Sequence, residues 1–91
     1  MSRYTWDLEK ALVNLAKHGV SFEEAKSVPD GDLARWFPDR SHSDEEERFW
    51  IIGPSSIGTL LLVVTSEGGP RPRIISAWRA TKRERREYEG R

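Results

Sequence analysis

Glu47 and Arg48 stand side by side where the acidic run "HSDEEER" meets the apolar stretch "FWIIG". An apolar stretch of that length predicts a strand, and the start of a strand is a rigid mount. A carboxylate held there can act as a general base, and the adjacent guanidinium can grip a phosphate as a bidentate fork. The plainer reading is a solvated acidic loop running into a strand, which is the commoner fate of a charge run.

A second group of residues lies in the last segment, "RPRIISAWRATKRERREYEGR". The chain has 15 basic and 15 acidic residues, yet residues 71–91 hold eight of the former and three of the latter. Neutral composition therefore conceals a basic end, and a charged patch acts locally because salt screens beyond roughly 8–10 Å. Strand alternation places Arg73, Ile75, Ala77 and Arg79 on one face and Ile74, Ser76 and Trp78 on the other. Arg79 leads into a predicted helix bearing Lys82, Arg83, Arg85 and Arg86. Bases running from strand to helix are the electrostatic footprint of nucleic-acid binding. A helix that only keeps a small domain soluble carries similar charge, and three interspersed acids fit that reading too. Trp36, Trp50 and Trp78 can stack on bases, although large aromatics in a small domain are mostly core.

A third group is "NLAKHGVSFEEA". His18 titrates near neutrality when unperturbed, which suits acid–base chemistry. Lys17-His18-Gly19 is also how a well-made helix ends, with positive charge against the dipole and a glycine for the left-handed cap. The structural role is the stronger of the two.

The elements that must position these groups follow from pattern. Tyr4 and Trp6 alternate with polar neighbours and predict a short strand. Asp7 is an N-cap, and Leu8, Ala11, Leu12, Leu15 and Ala16 form an apolar stripe at helical spacing. Ser21 and Glu24 make a capping box for a second helix that buries Phe22, Ala25 and Val28. Strands are predicted at "LARWF", "RFWIIG", "TLLLVVTS" and "RPRIISAWR", with Pro72 suited to a sheet edge or strand entrance. Thr81 and Glu84 form a second capping box and open the terminal helix. The order β-α-α-β-β-β-β-α with short late turns defines an α+β class with an antiparallel sheet.

With 91 residues the chain (1–91) is a single small domain. It has no cysteine, so neither a disulfide framework nor a thiolate metal site is available. Its two histidines, His18 and His42, are far apart in sequence and make a poor metal pair. No metal and no cofactor are expected. Charge near the N-terminus and the lack of a long apolar run predict neither a signal peptide nor a membrane span, and fit a cytoplasmic protein.

Three stretches in this order and spacing resemble the BrnT family of type II toxins. They are "WDLEKALVNLAKHGVSFEEA", "DRSHSDEEERFWIIG" and "RIISAWRATKRERREYE", together nearly the whole chain. The resemblance implies a RelE-like ribonuclease fold: N-terminal helices packed on an antiparallel sheet of about four strands, with a C-terminal helix. It implies RNA cleavage that blocks translation without a metal. It also implies neutralisation by a BrnA-like ribbon-helix-helix antitoxin, in a complex of two toxins and two antitoxins that reaches operator DNA only through the antitoxin. Under this reading Glu47 is the base, Arg48 and Arg73 bind phosphate, Arg79 stabilises developing charge, and Lys82 and Arg83 hold the RNA backbone.

This chain departs from the family in one place. Relatives commonly read "I-S-A-R" where it has Ser76-Ala77-Trp78 before Arg79. In a regular strand Trp78 takes the arginine's place, and the chain becomes a weak enzyme or a binding module that acts as corepressor with its antitoxin. A bulge that turns Arg79 to Trp78's face restores the guanidinium. The bulge is the favoured expectation.

Overall fold

The computed structural model describes residues 3–39 and 47–90. His42 and the acidic residues 44–46 lie outside them. The order is α1 (Leu8–His18), α2 (Phe22–Ala25), β1 (Arg35–Pro38), β2 (Arg48–Pro54), β3 (Leu60–Ser66), β4 (Arg73–Arg79) and α3 (Lys82–Glu89). The strands form one antiparallel sheet in chain order, β1-β2-β3-β4. Short turns explain this order: the two-strand ladder β2–β3 closes through Ser55–Thr59, where Ser55 N–H meets the Thr59 carbonyl at 2.8 Å. This is the α+β architecture expected from the pattern, with helices on one face and a C-terminal helix on the other.

Each face of the sheet has its own apolar layer. Ile51, Leu61, Val63, Ile74 and Ala77 face α1 and α2 and pack with Tyr4, Val20, Phe22, Ala25 and Val28. Ile52, Leu62 and Val64 face the other way, with Trp50, Ile75, Trp78 and the α3 residue Tyr88 around them. Burying Phe22 and the β3 residues completely is worth roughly 1.5–3 kcal/mol for each large side chain. Gly53 is required at the β1–β2 contact, because a Cβ there would lie 3.0 Å from Ala34 Cα.

Four local expectations are corrected. The N-terminal strand shrinks to one parallel bridge, Thr5 to Arg73, because Pro72 supplies only a carbonyl at that edge: Thr5 N–H donates to Pro72 O at 3.0 Å. The apolar stripe of α1 does not face the core. Leu8, Leu12 and Leu15 are exposed, and the one buried residue of the helix is Asn14. The capping box of α2 is half made. Ser21 accepts from Glu24 N–H at 3.0 Å, but the Glu24 carboxylate instead takes the Ser55 hydroxyl at 2.6 Å. The alternation expected along β4 fails at a bulge. Val64 pairs with Ser76 but Thr65 with Ile74, so Ile75 is an extra residue.

Candidate nucleic-acid interface

The bulge decides where the arginines go. Before it, Arg73 pairs with Ser66, which pairs with Arg48. These three residues form a row across β2, β3 and β4 on the face that carries α3. After it, the strand is regular. Trp78 pairs with Leu62 on the α3 face, and Arg79 pairs with Leu61 on the helix-layer face. Arg73 and Arg79 therefore point to opposite sides, where simple alternation put them together. The bulge lies upstream of Ser76 and leaves Arg79 unturned, so the expectation that it restores Arg79 to Trp78's side is corrected.

The row is compact. Neighbouring strands lie about 4.8 Å apart, so Arg48 and Arg73 are about 10 Å apart at Cα and their long side chains can reach one anion. Glu47 precedes the row, and its carbonyl accepts from Glu67 N–H at 2.7 Å, which continues the ladder and fixes the backbone. Behind it, Glu67 is held by three side chains. Tyr4 OH donates to Oε2 at 3.0 Å, Thr65 Oγ1 donates to Oε2 at 2.8 Å, and Arg3 lies 3.6 Å from Oε1. Burial and the Glu67 carboxylate, by hydrogen bond and by charge, keep the Tyr4 hydroxyl protonated well above the usual tyrosine range. Tyr4 thus serves as a donor that locks this end of the sheet.

The other end of β4 holds a different set. Lys17, His18, Ser76, Trp78 and Arg79 line an open depression at the sheet edge. The His18 ring packs on Trp78 at 5.7 Å, and Trp78 packs edge-on against Trp50 at 6.1 Å. Trp78 Nε1–H donates to Glu84 Oε1 at 3.1 Å, and the same oxygen takes Thr81 N–H at 2.9 Å. The second capping box is complete, with Glu84 N–H donating to Thr81 Oγ1 at 3.1 Å. Arg83 and Glu87 line a groove with Phe37, Trp50 and Ile52, while Lys82 is exposed at the helix start. Arg79 lies six residues from Arg73, about 20 Å along an extended strand. The six site residues named from the sequence fall into two groups: Glu47, Arg48 and Arg73 at one end, and Arg79, Lys82 and Arg83 at the other.

Asn14 was missed by sequence reasoning. Its Nδ2 donates to Ala77 O at 2.9 Å and Val20 O at 3.0 Å, and its Oδ1 accepts from Ala77 N–H and Ser76 Oγ–H at 3.1 Å. One amide thus fills the place of a neighbouring strand on the open edge of β4 and ties α1 to it. A polar residue within the apolar stripe was the available signal.

An antiparallel sheet with helices on one face, a charged helix on the other and arginines at both ends of its edge strand is an α+β scaffold suited to an anionic ligand. The family model of the ribonuclease toxin BrnT of type II toxin-antitoxin systems matches residues 6–84, and the chain belongs to that family. Membership implies an antitoxin partner. A crystal structure of the Brucella abortus ribonuclease toxin BrnT has the same fold. The TM-score is 0.66 at 24% identity, over 87% of this chain and 96% of that one. No curated protein matches the chain. Among the described residues no helix is long and apolar enough to cross a membrane.

Proposed function

We propose that the protein is a metal-independent endoribonuclease toxin whose reaction centre is the row formed by Glu47, Arg48 and Arg73. RNA cleavage of this kind begins when the 2′-hydroxyl loses its proton and attacks the adjacent phosphorus. Glu47 takes that proton. Arg48 and Arg73 neutralise the charge that grows on the phosphorane oxygens, the task a metal performs elsewhere. Lys82 and Arg83 hold the RNA backbone beyond the centre. Arg79 has no part in this step, because it faces the other side of the sheet. The observation that carries the reading is the row itself, with two guanidinium groups on adjacent strands beside a carboxylate whose backbone is pinned.

The cellular consequence is a block of translation in the cytoplasm, relieved by a BrnA-like ribbon-helix-helix antitoxin in a complex of two toxins and two antitoxins. The exposed leucines of α1 support a protein partner, since apolar surface of this kind is what partners cover. The test of activity uses purified protein and single-stranded RNA in EDTA. Cleavage should persist, and Glu47→Gln and Arg73→Ala should each slow it a hundredfold or more. Full cleavage by both folded variants would remove the assignment.

A second reading, a catalytically weak relative that serves as corepressor with its antitoxin, is favoured by Trp78. It stands on the α3 face where relatives commonly carry arginine, and its ring is fixed by Glu84 and Trp50. If this reading holds, wild type cleaves poorly and Trp78→Arg increases both cleavage and toxicity on expression.

A further inference from the structure

The depression at the C-terminal end of β4 has no role in the reaction just described, yet it is strongly cationic. Lys17 and Arg79 are both exposed and line it together. Among the described residues neither has an ion-pair partner, while Arg3 and Lys26 do. The carboxylate on its α3 side, Glu84, is engaged by Trp78 and Thr81. The adjoining stretch of the same edge carries Glu9 and Lys10, whose charges offset each other. His18 presents a polar ring edge against Trp78. The C-terminal carbonyls of α1 disfavour an anion here, but Lys17 and His18 already sit in that last turn and counter them.

We propose that Lys17 and Arg79 form a second phosphate site for the RNA strand, about 20 Å along β4 from Arg73. The proposal rests on the ribonuclease reading and deepens it. A single strand that enters the row at Arg73 and follows the edge of β4 brings a later phosphate to this depression. The ligand is therefore a single-stranded RNA of several nucleotides, and a dinucleotide held at the row cannot reach it. Asn14 makes the path possible, because it occupies the edge of β4 without adding a strand that would cover it.

The test is binding, so it does not depend on catalysis. The probe is an eight-nucleotide single-stranded RNA with 2′-O-methyl groups, which cannot be cleaved, titrated by fluorescence anisotropy at several salt concentrations. The comparison is wild type against a Lys17→Ala/Arg79→Ala double variant with unchanged thermal unfolding. The double variant should bind about tenfold more weakly at low salt, and its slope of log affinity against log salt should fall by about 1.4, or 0.7 for each lost phosphate contact. A 2′-O-methyl dinucleotide should show no such change in slope. An unchanged slope for the eight-mer overturns the proposal, as does wild type that fails to bind it. A loss confined to antitoxin binding also overturns it and assigns the patch to a protein partner. Wild type that binds the eight-mer through these residues but leaves unmodified RNA intact supports the second phosphate site and removes the nuclease reading instead.

Discussion

Helices α1 and α3 cover opposite faces of one sheet, and neither is held mainly by a buried apolar stripe. In α1 the leucines are exposed and only Asn14 is buried. In α3 nothing is buried at all. They differ in where the polar anchoring sits. The anchor of α1 is central and dry, one amide making four hydrogen bonds to residues from Val20, Ser76 and Ala77. The anchors of α3 are at its ends and largely wet. Its N-terminus has the Thr81–Glu84 box and the Trp78 indole, and its C-terminus has Arg35 on the Glu87 and Tyr88 carbonyls and Tyr88 OH on Leu33 O. A buried group has no water to replace a lost partner, whereas an exposed one does. The same kind of bond should thus count for more under α1 than around α3.

Substitution at Asn14 is the severest test. Asn14→Ala strands the Ala77 N–H and two carbonyls in the dry layer, and should cost about 2–4 kcal/mol in urea denaturation. A loss under 1 kcal/mol would break the comparison. Tyr4 is a second buried polar anchor and should follow. Tyr4→Phe should cost about 1–2 kcal/mol, since Glu67 loses a donor.

The Tyr4 variant also carries a pH signature. The folded hydroxyl holds its proton above the ordinary value near 10, so its contribution is complete below about pH 10 and fades as pH rises beyond that. Wild-type stability should fall more steeply above pH 10 than that of Tyr4→Phe. Parallel curves would deny Tyr4 this role. Thr81→Ala, an exposed cap on α3, should cost about 1 kcal/mol. Leu12→Gln, on the exposed stripe of α1, should change stability by less than about 0.5 kcal/mol. A larger loss would mean that the stripe supports the fold.

What could be read from the sequence was what depends on neighbours in the chain. Asp7, Gly19 and the Thr81–Glu84 box act within one helical turn, and all three are found where their types predicted. The apolar runs of β2, β3 and β4 likewise became strands in simple antiparallel order. What stayed hidden depends on partners far away. Glu24 completes its local box only if nothing better competes, and Ser55, thirty-one residues on, competes. Periodicity showed that α1 has an apolar stripe, but not that the sheet would take Asn14 in its place. For the candidate site, the pairing of Glu47 with Arg48 was legible because they are adjacent. The grouping of Arg73 with them and the parting of Arg79 from them were not, because one extra residue at Ile75 leaves no mark in composition.

That extra residue works as a parity switch. Arg73 and Arg79 are an even number of positions apart and would share a side in a flat ladder; Ile75 gives each its own side. Removing one residue between them would move an arginine across the sheet without altering its identity. In a lineage, a single-codon deletion near Ile75 could thus do what a change of Trp78 to arginine would do, so aligned columns need not hold side chains that occupy the same place in space.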